Sequence, residues 1–127
     1  MTVISISVNG GLLEELDRLQ RALGFSGRSE VLRAGARMLI ADNREKEHLE
    51  GTLNAVLLLI HAQKAEDTVT EIKHEFEDIS STQLHNHLRG DKCLELFILE
   101  GDATRIKELV RAFQASGKMD YMKLIVA

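Results

Sequence analysis

The sequence predicts an α+β protein in two parts, a β-α-α segment followed by a β-α-β-β-α-β segment. A strictly alternating apolar stretch opens the chain, two stretches with helical periodicity follow, and after Gly51 strand-like and helix-like stretches alternate. With 127 residues and 44% hydrophobic content, the chain has enough apolar material for a core. We predict domains at residues 1–46 and 51–127, joined through the polar stretch "ADNREKEHLE".

The first element is "TVISISV", from Thr2 to Val8, whose alternation predicts a half-buried strand. One face carries Ile4, Ile6 and Val8, and the other carries Val3, Ser5 and Ser7. Asn9 is then a suitable N-cap for a helix over "LLEELDRLQRALG". Its leucines recur every three or four residues, at Leu12, Leu16, Leu19 and Leu23, and Gly24 is placed to end it.

A second helix is predicted to begin near Ser26 or Gly27 and to continue through "RSEVLRAGARMLIADNREKEHLE", with Glu30 in its first turn. Its apolar stripe comprises Val31, Ala34, Gly35, Met38 and Leu39. One strand and two helices of this size cannot bury their apolar faces alone. The first part is therefore predicted to dimerise, with the strand pairing with its counterpart in a second copy.

The second part contains two similar strand and helix units. The predicted strands are "TLNAVLLLIH", "STQLHNHL", "CLELFILEG" and "KMDYMKLIVA", and the predicted helices are "EDTVTEIKHEFEDI" and "DATRIKELVRAFQASG". The turn "RGDK" joins the second strand to the third, and Asp102 caps the second helix. The order β-α-β-β-α-β is the split βαβ arrangement of ferredoxin-like domains.

Composition excludes several classes of protein. A single cysteine rules out an internal disulfide, and the chain begins without a basic and apolar leader, so a cytoplasmic location is expected. The longest apolar run, "AVLLLI", is far shorter than the roughly 20 residues that span a bilayer. Net charge is −4, and residues 1–50 carry seven basic and eight acidic side chains. Any nucleic acid must therefore be bound through local geometry and not through a broad basic field.

The stretch "TQLHNHLRGDKC", from Thr82 to Cys93, contains two histidines and the only cysteine of the chain, which are candidate metal ligands. Residues two apart in a strand share a face, so His85 and His87 present two imidazoles together, while Leu84 and Leu88 are expected to face the core. The turn brings Cys93 back beside His87, so two nitrogens and one sulfur can converge. Such ligands suit nickel, copper or zinc and disfavour magnesium or calcium. His74, eleven residues before His85, can supply a fourth ligand from the same or another chain.

Two other interpretations of this stretch are open. The histidines can be ordinary strand residues and Cys93 a small buried apolar one, or Cys93 and His87 can be a nucleophile and its base. Nothing nearby supplies an orienting Asn or Asp or an oxyanion hole, so no enzyme is predicted. His48 and His61 have no partners at ligand spacing and are expected to be structural, although His61 could join a secondary metal site.

Together the two parts resemble the nickel-responsive regulator (NikR) family of bacterial and archaeal repressors over nearly the whole chain. The first part is similar to CopG-like ribbon-helix-helix modules in its alternating strand, in "LLEELDRL" and in "GFSGRSEVLR". The second matches the family's ACT-like metal domain in order and spacing: His74, ten residues, His85, one residue, His87, five residues, Cys93, then "LELFILEG". The combination of module and ligand spacing is highly specific.

The resemblance implies a cytoplasmic, metal-responsive transcriptional regulator that represses metal-uptake genes. It implies one Ni(2+) per subunit, bound in a plane by His85, His87 and Cys93 of one chain and by His74 of a neighbour. It also implies a homotetramer, a dimer of dimers, that binds the palindromic half-sites of a double-stranded DNA operator. It implies neither a membrane nor a small-molecule substrate. The alternatives are a metal-independent ribbon-helix-helix repressor or antitoxin, and a regulator that responds to copper, cobalt or zinc.

For DNA binding, the resemblance implies that Val3, Ser5 and Ser7 enter the major groove and that Arg28 and Ser29 anchor a phosphate. Two positions of the first part depart from the family pattern. Val3 stands where members commonly have an arginine, which removes the strongest base reader. Ala34 stands where they tend to have an acidic residue that holds a second cation together with Glu30, so only Glu30 of that site remains.

Overall fold

The computed structural model describes all 127 residues and divides them into two compact units, Met1–His48 and Leu49–Ala127. The elements in chain order are α1 (Gly10–Leu23), α2 (Arg28–Glu47), β1 (Thr52–Ala62), α3 (Glu66–Glu75), β2 (Ser80–Leu88), β3 (Lys92–Asp102), α4 (Ala103–Ala115) and β4 (Met119–Val126). A single 3-10 turn, Gln63–Ala65, precedes α3. None of the helices combines the length and the apolar character needed to cross a bilayer.

The two helices predicted for the first unit are confirmed. The side chain of Asn9 caps α1 by accepting a hydrogen bond from the backbone N–H of Leu12 at 2.8 Å. Gly24 ends the helix in the left-handed conformation, with φ of 76°. α2 starts at Arg28 with Glu30 in its first turn, where a carboxylate interacts favourably with the positive end of the helix dipole.

The strand predicted at Thr2–Val8 does not form in the single chain, where residues 1–9 have no regular secondary structure. Ile4, Ile6 and Val8, expected on a half-buried face, are exposed, and so are Met38 and Leu39 of the α2 stripe. Val31 is the one buried residue of this unit. A strand needs a neighbour to take its backbone hydrogen bonds, and the chain offers none at this point. Two short helices likewise lack the surface to cover these side chains.

The second unit has the predicted ferredoxin-like, ACT-like order. Its four strands form an antiparallel sheet in the order β2-β3-β1-β4. One face of the sheet packs against α3 and α4, and we call it the helix-covered face. The core there contains Leu57, Leu59, Phe97 and Leu99 from the central strands, with Val69, Ile106, Leu109 and Phe113 from the helices. Phe76 at the end of α3 is buried as well.

The prediction that Leu84 and Leu88 face the core is wrong. In the β2–β3 pairing, His85 lies opposite Glu95 and His87 lies opposite Cys93, and both of these β3 residues are buried on the helix-covered face. The two leucines therefore point to the other face, where Leu84 is 59% exposed. Alternation separates the residues of a strand into two sets, but it does not tell which set the helices cover.

The turn between β2 and β3 aligns the two strands. Gly90 and Asp91 both have positive φ, 76° and 55°. This left-handed conformation is accessible to glycine without strain and is tolerated by aspartate better than by most residues. The turn closes with Leu88 opposite Lys92, and this register puts His87 opposite Cys93.

Gly101 in β3 passes so close to Ile79 that an added Cβ atom would lie 2.5 Å from Ile79 Cγ2. Because Ile79 is itself part of the buried core, we expect Gly101→Ala to lower the free energy of unfolding by about 1–3 kcal/mol. Urea unfolding followed by circular dichroism measures this change. The added cost should shrink in an Ile79→Ala background, which removes Cγ2. An equal cost in both backgrounds would show that a different neighbour is responsible.

Candidate metal centre

Three side chains with soft or borderline donor atoms converge where β2 and β3 meet. His85 and His87 lie on β2, and Cys93 lies opposite His87 on β3. One donor atom from each of the three lies within 4.8 Å of the others. The sulfur of Cys93 is 3.7 Å from Nδ1 of His87, and the two imidazole rings meet edge to face with centroids 5.0 Å apart. The convergence predicted from strand periodicity and the turn is therefore present.

The donor set fits a transition metal. A sulfur at about 2.3 Å and a nitrogen at about 2.1 Å from one ion can be at most about 4.4 Å apart, and the observed 3.7 Å lies inside that limit. Thiolate and imidazole ligands suit nickel, copper and zinc. Three donors from one chain leave at least one coordination position for a further ligand.

Cys93 is completely buried, and burial is the largest cause that raises the pKa of its thiol above the ordinary value of 9.0. The negative charges of Glu66 and Glu95 raise the same pKa further. A catalytic cysteine needs an accessible thiolate, so this environment disfavours a nucleophile. A metal ion can still bind the sulfur, because coordination replaces the proton and neutralises the charge that burial disfavours.

His74 lies outside this cluster. It is in the last turn of α3, its side chain is exposed, and its Nδ1 is 2.7 Å from Oε1 of Glu77. It therefore cannot be counted among the donors that converge within the single chain. Its assignment as a ligand for a neighbouring chain stays a prediction.

A second group of donors adjoins the first and was not predicted as a group. Glu66, His85 and Glu95 place donor atoms within 4.8 Å of one another. Oε1 of Glu66 is 3.1 Å from Nε2 of His85, and Glu95 contacts Nδ1 of the same ring. The sequence signal that could have found Glu95 is its position between Cys93 and Phe97 in "CLELF", where the inward positions of the strand are otherwise apolar.

His61, expected to be structural, lies next to both groups. It is completely buried on β1, directly opposite Cys93 on β3. Its Nδ1 is 2.8 Å from the carbonyl oxygen of Ala62, and its Nε2 has no hydrogen-bond partner. A buried polar atom without a partner costs free energy, so this nitrogen needs an explanation.

The predicted DNA-contacting residues lie in the first unit. Val3, Ser5, Ser7 and Ser29 are exposed. Arg28 forms a two-pronged ion pair with Asp17, at 2.8 Å through Nε and 2.9 Å through Nη2, and this guanidinium holds the pKa of the Asp17 carboxyl below its usual value. Glu30 contacts Arg33 in the same helix. With alanine at position 34, Glu30 has no acidic partner there that could form the second cation site.

Comparisons with known proteins agree with the metal chemistry of the second unit. The family model described as the NikR C-terminal nickel-binding domain matches residues 55–127. A provisionally named nickel-responsive regulator of Methanocaldococcus jannaschii is 36% identical over 99% of this chain and 92% of its own length. A regulator of the same provisional name from Halobacterium salinarum is 35% identical over 99% of this chain and 93% of its own length.

A likeness to a solved structure bears on the fold alone. An uncharacterised protein from Thermotoga maritima superposes with a TM-score of 0.55 and 16% identity, and the match covers 60% of this chain and 98% of that one. At this level of identity the match supports the architecture and says nothing about the ligands.

Proposed function

The chain belongs to the NikR family of nickel-responsive regulators, and from this premise we propose that it is a cytoplasmic, nickel-switched DNA-binding protein that represses metal-uptake genes. The proposed ligands of one Ni(2+) per subunit are His85, His87 and Cys93 of one chain and His74 of another. The observation that carries this proposal is the convergence of one sulfur and two imidazoles at the β2–β3 pair.

Completion of the site by a second chain is supported by where its parts lie. β2 is an edge strand, and His87 is exposed, so a side chain of another copy can reach the open coordination position. His74 is exposed at the end of α3, where its ring pairs with the equally exposed Glu77. Four nitrogen and sulfur donors in a plane favour Ni(II) or Cu(II), whereas a tetrahedral arrangement favours Zn(II).

Assembly through the sheet is supported by the face opposite the helices, which we call the open sheet face. It carries an apolar row across all four strands, comprising Val56, Leu58, Ile60, Leu84, Leu88, Leu94, Leu96, Ile98, Tyr121 and Ile125. Five of these side chains are exposed. Monomeric proteins seldom expose a contiguous apolar surface of this extent. We assign it to contact with a second copy in the proposed tetramer, because a metal site shared between chains requires at least two copies of this domain in contact.

DNA binding is assigned to the first unit as a ribbon-helix-helix module. Its exposed apolar residues would be covered if the strand over Thr2–Val8 paired with the same strand of a second copy, leaving Val3, Ser5 and Ser7 for the major groove. Arg28 uses Nε and Nη2 on Asp17, which leaves donors on Nη1 for a phosphate. Asp17 would thus orient the arginine while the backbone N–H groups at Ser29 and the start of α2 supply further donors.

The proposed switch follows from a metal that joins two chains. Such an ion binds only arrangements of the tetramer in which His74 of one chain reaches the three donors of another. Its binding free energy therefore favours those arrangements over others. The ratio of its affinities for the two kinds of arrangement limits how far the population shifts. If the favoured arrangement aligns the two ribbons with both half-sites of an operator, nickel and DNA each raise the affinity for the other.

The nickel ligands are tested by His87→Ala and Cys93→Ser. Each variant is expected to weaken Ni(2+) binding by about 100-fold or more, because loss of a ligand exceeds the 10–100-fold typical of changes around the ligands. Isothermal titration calorimetry measures the affinity. Asn86→Ala is the matched control, since Asn86 lies between the histidines but points to the open sheet face. Unchanged nickel affinity in His87→Ala would contradict the assignment.

Assembly through the open sheet face is tested by Ile98→Lys. A lysine there would place an unpaired charge in the apolar contact, so dimers are expected in place of tetramers. Size-exclusion chromatography with light scattering measures the mass. Gln114→Lys, which adds the same charge at an exposed position of α4, is expected to leave the tetramer intact. A tetramer of Ile98→Lys would show that the contact lies elsewhere.

The regulatory function is tested by mobility shift on the DNA upstream of the protein's own gene and on nearby transporter promoters. Retardation is expected with nickel, less with cobalt, zinc or copper, and not with EDTA. Arg28→Ala should weaken binding of the nickel-loaded protein and make the slope of log affinity against log salt shallower by about 1, because one phosphate is no longer neutralised. Arg44→Ala, which removes the same charge at the far end of α2, is the control. Binding that is the same in EDTA and nickel would favour the metal-independent repressor.

A further inference from the structure

Glu66, His85 and Glu95 form a cluster that shares His85 with the thiolate site, and the buried ring of His61 faces Glu95 at 3.6 Å. We infer that Glu66, His85, Glu95 and His61 form a second metal site, contained in one chain, which takes a divalent ion of the zinc class and competes with nickel for His85. The site itself depends only on this chain, and the competition rests on the proposed function.

His61 supplies the observation that points to a ligand. Its Nδ1 is 2.8 Å from the Ala62 carbonyl oxygen, so this nitrogen carries the hydrogen and donates it. In the neutral form of the ring the lone pair is then on Nε2, which is completely buried and has no hydrogen-bond partner. The nearest charged atom is Oε1 of Glu95, at 3.6 Å. In that form Nε2 of His61 and Oε1 of Glu95 face each other as two electron-rich atoms across this gap, and a cation between them would satisfy both.

Glu95 is the second buried member and is only 1% exposed. Its Oε2 accepts a hydrogen bond from Nε2 of Gln83 at 3.0 Å, and its Oε1 contacts Nδ1 of His85. No lysine or arginine pairs with Glu95 or with Glu66, whose Oε1 is 3.1 Å from Nε2 of His85. A buried carboxylate is costly unless it is paired or coordinates a metal. The cluster therefore combines negative charge with a shortage of cations.

The donor set selects the class of ion. Two carboxylate oxygens and two imidazole nitrogens are ligands of zinc and of cobalt(II), whereas magnesium and calcium require about six or more oxygens. Ligands at about 2.0–2.1 Å from a tetrahedral ion lie roughly 3.4 Å apart, close to the 3.6 Å between Nε2 of His61 and Oε1 of Glu95. Without sulfur, the site is harder than the thiolate site and favours zinc and cobalt over copper(I).

His85 makes the two sites compete. A neutral imidazole has a single lone pair, so one ring serves one metal at a time. An ion held by Glu66, Glu95 and His61 withdraws His85 from His87 and Cys93 and leaves nickel with fewer ligands. Zinc bound at this second site would therefore act against nickel, and the protein would respond to the ratio of the two metals.

Direct binding is measured in His87→Ala/Cys93→Ser, which removes the thiolate site and keeps the second one. Equilibrium dialysis against zinc, followed by metal analysis, is expected to give one zinc per chain, and cobalt(II) should give ligand-field absorption without a thiolate charge-transfer band. Adding Glu66→Gln should weaken zinc binding by at least about tenfold. Glu71→Gln, at an exposed position of the same helix, is the matched control. Glu66 is half-buried and is not part of the core cluster, so its variant should fold.

Two results would overturn the inference. One is a double variant that is folded by circular dichroism but holds no zinc, and the other is zinc binding that Glu66→Gln leaves unchanged. Competition is measured separately in the wild-type protein, where zinc is expected to weaken nickel binding, and Glu66→Gln is expected to reduce this effect to the direct competition of zinc for the thiolate site. If nickel failed to bind the wild-type protein at all, the proposed function would fail while the zinc measurement in the double variant still decided the second site.

Discussion

The antiparallel register between β2 and β3 is the constraint on which both donor groups depend. It sets His85 opposite Glu95 and His87 opposite Cys93, and the register with β1 sets His61 opposite Cys93. Three adjacent strands thereby bring five side chains with potential metal-ligating atoms to one end of the helix-covered face. Because side chains alternate with a period of two, a slip of one residue would turn both histidines toward the open sheet face. The left-handed turn at Gly90 and Asp91 and the burial of Phe97 and Leu99 hold the strands against such a slip.

Local signals made much of the fold predictable. Asn9 and Asp102 cap their helices through side-chain oxygens, and Gly24 ends α1 in the conformation that favours glycine. The choice between the two faces of β2 was not predictable, because β2 lies at the edge of the sheet and its two leucines, Leu84 and Leu88, point away from the helices. The segment Thr2–Val8 needs a strand from a second chain to pair with. Its alternating sequence indicates a strand but cannot show which strand lies beside it.

The sequence also predicted part of the candidate site. His85, His87 and Cys93 could be grouped because the spacing in a strand and the length of a turn are local quantities. Glu66, Glu95 and His61 come from a helix start and two strands, and the fold alone brings Glu66 and His61 toward Glu95. The sequence alone does not show whether an acidic residue within an apolar strand is buried, because this depends on which face of the sheet the helices cover. Glu95 acquires its significance from being 1% exposed with only imidazoles and one amide as polar partners.

Affinity alone cannot make such a centre selective for nickel. Most nitrogen and sulfur sites bind copper more tightly than they bind nickel, and they bind zinc nearly as tightly as nickel. Selectivity must come from the geometry of the ligands and from the free-energy cost of binding each ion, such as displacing a proton from a ligand. The sulfur of Cys93 is buried beside two carboxylates, so an ion at the thiolate site must displace a firmly held proton. An ion at the carboxylate cluster has no thiol to deprotonate. Since His85 belongs to both sets, an ion bound at one site weakens binding at the other. The difference between the affinity for nickel at the thiolate site and for zinc at the second site then sets how the protein responds to the two metals.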